Sequence, residues 1–259
     1  MPSDNKETTT ERRVLILQKL DQTGQVDVAT LSEDLKVSEV TIRNDLNKLE
    51  EKKMLIRSRG GAFKIDRVGI DFDISDKNKL FFQEKSRIGK KAAELIEEGD
   101  TIILDSGSTT VEITRHLTKF TNLTIITNAL NVVIALAEMK NMNVIIPGGI
   151  LRKNSLSLVG STAEENFKNY FCDKLFLAVD GFNITHGLST PNVEEAHLNR
   201  IMIEIAKKVI VVADSSKFLK RSFAVIAPVS KVDTVVTDSG IQPKDQKELE
   251  NTGVEVIIA

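Results

Sequence analysis

Two groups of residues in this 259-residue chain have the types and spacing to do chemistry. The first centres on Asp105-Ser106-Gly107-Ser108-Thr109-Thr110, which directly follows an apolar run and opens a helical pattern. Gly107 lets the backbone approach a ligand closely. Ser108, Thr109 and Thr110 offer hydroxyls, and a helix start offers free N–H groups and a positive dipole end. Together these suit a phosphate. Four later apolar runs also end in polar residues: Thr127-Asn128, Pro147-Gly148-Gly149, Asp180-Gly181, and Asp214 through Lys217. Arg152 and Lys153 follow Gly149, and Glu194 stands at the head of a long helical pattern. In a parallel sheet such strand ends converge, and ligands bind beyond them.

The second group lies between Ser38 and Arg59. Ser38 sits where a helix N-cap belongs, its hydroxyl free to accept a backbone N–H. Ile42, Leu46 and Leu49 then recur at i, i+4, i+7 and predict one buried face. The opposite face carries Glu39, Thr41, Arg43, Asn44, Asn47 and Lys48, which can reach base edges or phosphates. Arg57 and Arg59 lie on a short hairpin that turns at Gly60-Gly61. Over residues 38–64, seven basic residues oppose four acidic ones, whereas the whole chain carries −2. A net of three positive charges is modest, so one copy should bind DNA weakly and paired copies are expected.

These residues need two kinds of scaffold. Around the second group, Asp27 is placed to cap a helix marked by Val28, Leu31 and Leu35, and Lys36-Val37 to turn into the next. A preceding helix over 11–22 is expected to turn Val14, Leu17 and Leu20 inward. The result is a winged helix-turn-helix over 11–65, after a disordered polar tail at 1–10. Residues 66–81 are polar and aperiodic and suggest a linker. From 82 to 259, short Val/Ile/Leu runs alternate with helical patterns. That predicts an α/β domain with a mainly parallel sheet covered on both faces.

Ser38 to Leu46, Leu49-Glu50 and Leu55 to Ala62 resemble the reading helix and wing of the DeoR family of bacterial transcription regulators. The pair of arginines usual there is Arg43 and Asn44 here. The second domain is similar to that family's sensor, whose fold looks like ribose-5-phosphate isomerase. The resemblance implies a sugar-operon repressor. Operator DNA would be bound through Ser38, Thr41, Arg43, Asn44, Asn47, Lys48, Arg57 and Arg59. It also implies a phosphorylated sugar held by Asp105, Gly107, Ser108, Thr109 and Thr110. Asn128, Gly148, Gly149, Arg152, Asp180, Gly181, Glu194 and Lys217 would line the sugar pocket.

An alternative function is a sugar-phosphate isomerase with an accessory DNA-binding module, since Asp180, Glu194 and Lys217 are suitable residue types. The isomerase's acidic cluster after Asp-Gly is replaced here by Phe182-Asn183-Ile184-Thr185, which favours binding without turnover. A nucleotide- or CoA-binding protein is a third reading, and the winged motif argues against it. No apolar run reaches membrane-span length, and the N-terminus lacks the apolar core of a secretory signal. The single Cys172 reads as a packing residue in a reducing, cytoplasmic setting. His116, His186 and His197 form no metal-type cluster, and no cofactor is expected. The expected partners are operator DNA, a sugar phosphate and further copies of the chain as dimer or tetramer.

Overall fold

The computed structural model describes residues 9–52, 54–64, 71–139 and 142–259. Most of the expected tail and residues 66–70 of the expected linker lie outside these. Two compact units divide the chain, Met1–Arg67 with Lys79–Phe81 and Val68–Asn78 with Phe82–Ala259.

The smaller unit runs α1 (Thr9–Thr23), β1 (Gln25–Asp27), α2 (Val28–Asp34), α3 (Glu39–Glu51), β2 (Ile56–Ser58) and β3 (Gly61–Phe63). Thr9 and Thr10, expected in the tail, are helical. Both motif helices start where their caps require. Asp27 accepts the N–H groups of Ala29 at 2.8 Å and Thr30 at 3.2 Å, and Ser38 accepts that of Thr41 at 3.2 Å. Ile42, Leu46 and Leu49 are buried. In α1 the fully buried positions are Arg12, Ile16 and Leu20, not Val14 and Leu17. The helix is rotated because Arg12 and Arg13 both reach Asp45 of α3, at 2.6 and 2.7 Å. The wing is three-stranded, ordered β1-β3-β2.

The larger unit begins with α4 (Ile74–Lys77) and α5 (Phe82–Ala93). Then come β4 (Thr101–Leu104), α6 (Thr110–Thr114), β5 (Leu123–Ile126), α7 (Leu130–Leu136) and β6 (Met142–Ile145). A hairpin of β7 (Ile150–Arg152) and β8 (Ser157–Val159) precedes α8 (Ser161–Phe167) and β9 (Cys172–Leu177). The rest is β10 (Gly181–Asn183), β11 (Gly187–Thr190), α9 (Val193–Ile205), β12 (Ala206–Val212), β13 (Ala224–Ala227), β14 (Thr234–Thr237), α10 (Pro243–Asn251) and β15 (Glu255–Ile258).

Seven strands form one sheet, β15-β14-β12-β9-β4-β5-β6, and every pairing in it is parallel. Alternate side chains feed two cores. Ile103, Leu175, Leu177, Val209 and Val211 pack on one face, and Ile102, Leu104, Phe176, Ile210 and Val212 on the other. This is why the strands read as continuous apolar runs. The chain winds outward from β4 to β6, returns to β9, then winds the other way, so the order reverses between β4 and β9. In open parallel sheets that point leaves a crevice at the strand ends. The apolar run Ala224–Ala227 does not join this sheet but forms β13 of a separate antiparallel one, β10-β11-β13.

Candidate functional site

The reading surface follows from the phase of α3. Arg43, Asn44, Asn47 and Lys48 are exposed, and Thr41 is half-buried. Arg43 is tied to Glu39 one turn back at 2.5 Å, and Lys48 to Glu51 at 2.7 Å. Such exposed pairs are weak and exchange readily for a phosphate. Arg57 is committed within the wing. Its Nε donates to Asn47 at 3.1 Å and its Nη1 to the Gly61 carbonyl. Arg57 and Asn47 therefore fix the wing on the reading helix, while Arg59 stands exposed at the turn. Asp45, one of the four acidic residues of this region, is buried and neutralised by Arg12 and Arg13. It subtracts nothing from the positive face.

A cleft lies at the β4/β9 crevice. Asp105, Gly107, Ser108 and Thr109 line it from the loop after β4, Asp180 from the end of β9 and Lys217 from the loop after β12. Gly107 is required there, since a Cβ would come within 2.5 Å of Ala178 Cβ. Lys77 Nζ lies 2.6 Å and Lys217 Nζ 3.8 Å from Asp180 Oδ1. Burial would raise the Asp180 carboxyl, but these two ammonium groups outweigh it and hold it at about 2. Lys85 is buried behind them and donates to the Lys77 carbonyl at 2.6 Å. Burial, with Lys217 and Lys77 nearby, brings it down to about 8. The Asp105 carboxyl accepts the Ala178 N–H at 3.2 Å. Burial, reinforced by the charge of Glu195, pushes it up to about 8. The cleft thus presents cations at one end and, beneath its loop, a carboxyl whose proton is favoured by burial.

Several expected pocket residues stand elsewhere. Glu194 is exposed; Glu195 faces the cleft, one residue and about 100° further round the helix. Glu195 Oε1 accepts Arg152 at 2.8 Å and Ser157 at 2.9 Å, and Oε2 accepts Thr190 at 3.2 Å. Arg152 therefore stands behind the cleft wall, where it also binds Asp71. Thr110 is fully buried and spends its hydroxyl on the Gly107 carbonyl at 3.0 Å. The helix it opens, α6, is only five residues long, so its dipole is weak. Asn128 is buried against the β7–β8 hairpin, its amide donating to Leu158 at 3.3 Å. Gly148 and Gly149 carry the chain into that hairpin. Gly149, at φ +123°, passes so close to β8 that a Cβ would lie 2.6 Å from the Val159 carbonyl. Gly181 is buried in β10. The hairpin thus occupies the space over the ends of β5 and β6. Lys77, Lys85, Glu195 and Asn199 are the residues that motif reading missed. Cys172 is buried, and burial pushes its thiol up to about 12, as suits packing. Among the described residues no group of His, Cys, Asp and Glu is arranged to hold a metal.

Residues 12–68 match the DeoR-like helix-turn-helix domain, and residues 81–239 match the DeoR C terminal sensor domain. The chain belongs to the DeoR family. A protein of Escherichia coli O157:H7 named "Putative aga operon transcriptional repressor" is 42% identical over 252 residues, covering 96% of this chain and 94% of that one. The Bacillus subtilis regulator YulB is 37% identical over 246 residues, 95% of each chain. Ribose 5-phosphate isomerase A from Methanocaldococcus jannaschii aligns over 54% of this chain and 56% of its own, with a TM-score of 0.40 and 18% identity. As a DeoR regulator the chain pairs a DNA-binding unit with a small-molecule sensor. No helix among its described residues is long and apolar enough to cross a membrane.

Proposed function

We propose that the chain represses an operon of sugar metabolism and that a sugar phosphate in the β4/β9 cleft controls its hold on DNA. The observation that carries this reading is the convergence of Lys77 and Lys217 on one end of a hydroxyl-lined crevice, with Lys85 buried behind Lys77. A phosphate near two negative charges needs full cations where the adjoining helix is short. Asp105, Asn199 and Thr190 supply hydrogen-bonding groups for a sugar. The name of the Escherichia coli relative supports repression of a sugar operon. Arg43, Asn44 and Lys48, with Arg59 at the wing, touch operator DNA, and a homo-oligomer in the cytoplasm presents paired reading helices.

The sugar phosphate leaves unchanged. A general base needs a lone pair aimed at substrate. Glu195 already accepts three hydrogen bonds from the protein, and Asp180 is ion-paired, so neither carboxylate stands free as a base. The test is a thermal-shift panel of sugar phosphates and their unphosphorylated parents, followed by NMR of any ligand found. One phosphorylated sugar should raise the melting temperature and its parent should not. Equal shifts from both would remove the phosphate site. Conversion of the ligand, abolished by Glu195→Gln, would make the protein an enzyme.

A further inference from the structure

Residues 71–78 read as linker, yet they are built into the sensor. Asp71 receives the guanidinium of Arg152 and, at 2.9 Å, the Asn154 amide. Ile74 is buried, and its N–H donates to the Asn154 carbonyl at 2.7 Å. Asp73 caps the short α4 through the Ser75 N–H at 2.8 Å. Lys77 then reaches Asp180, and its carbonyl takes the Lys85 ammonium.

These fastenings end at the sensor cleft or on the hairpin beside it. Ile74 and Lys77 line the cleft, and so do Asp180, Glu195 and Ser155. Arg152 links Asp71 to Glu195 and Ser155, both at 2.8 Å from its Nη1. In sequence the segment follows the DNA-reading unit and is itself followed by Lys79–Phe81, which belong to that unit. One stretch of chain is thus a wall of the cleft and covalently continuous with the reading unit on both sides. An anion entering the cleft carries the same charge as Asp180 and competes with it for Lys77. A ligand hydroxyl beside Glu195 competes with Arg152 in the same way.

We propose that residues 71–78, fastened by the Asp71–Arg152 and Lys77–Asp180 ion pairs, are the latch through which an anion in the cleft changes the affinity of the protein for DNA. The inference rests on the cleft being the effector site. A ligand shifts an equilibrium only by binding two states differently. Here the closed latch belongs to one state, and the anion favours the other by taking a cation from it.

The test uses the full chain, a DNA duplex selected by it from a random pool, and inorganic phosphate against chloride at equal ionic strength. Hydrogen exchange follows residues 74–78 and 105–110. In the wild type, phosphate should slow exchange at 105–110, speed it at 74–78 and move DNA affinity. Without phosphate, Asp71→Asn should speed exchange at Ile74, Lys77 and Asn78 by about ten-fold. It should also move DNA affinity by about five-fold or more in the direction phosphate does, within the usual range of coupling. Asp71→Glu should restore both. A freed segment with DNA affinity unchanged within about two-fold overturns the latch. So does phosphate that protects 105–110 but leaves the segment and DNA affinity unmoved. Failure of phosphate to protect 105–110 would instead overturn the cleft as the effector site, and the Asp71→Asn comparison needs no ligand.

Discussion

Arg43 on the reading helix and Arg152 in the sensor are the same side chain in opposite circumstances. The Arg43 side chain is 50% exposed, and its partner Glu39 is one turn away on the same helix. That of Arg152 is 12% exposed, and its two carboxylate partners lie 43 and 81 positions away in sequence. An exposed neighbouring pair contributes about 0.3–0.5 kcal/mol and is screened by salt. Breaking a buried pair by removing one partner costs about 3–5 kcal/mol, because an uncompensated charge stays behind. The proposed reading face would therefore exchange its partners for DNA at little cost. In the sensor a ligand that displaces one partner disturbs several elements at once.

The sharpest challenge to this contrast lies inside the reading unit, where Asp45 is buried between Arg12 and Arg13. If burial rather than domain sets the energetics, Asp45→Ala should destabilise that unit by about 3–5 kcal/mol. Urea unfolding should show it melting well before the sensor. A loss below about 1 kcal/mol would place this pair with the exposed ones.

Next in size is Lys217→Ala. Losing a charged hydrogen bond costs about 1.5–3 kcal/mol. The sugar phosphate should bind roughly ten- to a hundred-fold more weakly, and the unphosphorylated sugar should change little. Calorimetric titration of both ligands measures this. Equal losses would mean that Lys217 holds the sugar or the fold, and would leave Lys77 as the phosphate cation.

Acidity acts on the buried groups of the sensor. Asp105 is raised from 3.8 to about 8, so between these values the unfolded chain has lost the proton that the folded chain keeps. Stability of the sensor should fall as pH rises through that window, by up to about 1.4 kcal/mol per pH unit. Asp180 has the opposite sign, giving stability that disappears as pH falls from 3.8 to about 2. Lys85 titrates at about 8 instead of 10.5, so its contribution to stability rises with pH between those values. Denaturant titrations from pH 4 to 8 should lose most of their slope in Asp105→Asn. A slope that survives would assign the dependence to another group.

The smallest effects belong to the exposed arginines. Arg43→Ala should change folding stability by less than about 0.5 kcal/mol. Arg59→Ala should weaken binding to every duplex and flatten the salt dependence by about one unit. Urea unfolding checks the first, and DNA-binding isotherms of both variants across a salt series check the second. Unchanged DNA affinity in both variants would move the reading surface elsewhere.

How far the sequence was readable follows the same division. Asp27, Ser38, Ile42, Leu46 and Leu49 act within a few residues of themselves, so spacing alone locates them. The sensor's parallel sheet was visible in its apolar runs. Its cleft was only partly visible, because side-chain direction there depends on distant packing. Glu195 rather than Glu194 faces inward because Asn192 caps α9 through the Glu195 N–H at 3.0 Å. That sets Glu195, Asn199 and Met202 on one stripe, and the Asn192 cap was the available signal. Lys77 lies on a four-residue helix, too short for any periodicity to show. Asn128, Gly148 and Gly149 follow strands as expected, but the β7–β8 hairpin, whose three-residue strands are too short for a pattern to show, packs against them.

Asp45, held between two arginines in the interior, has a consequence for life in changing water. A contact shut away from solvent is screened far less than exposed charges, whereas attraction between an exposed basic face and DNA weakens steeply as salt accumulates. The reading unit will keep its shape in brine that has already loosened its grip on DNA. Rising salt should therefore weaken DNA binding before it unfolds the reading unit, and dilution should restore binding.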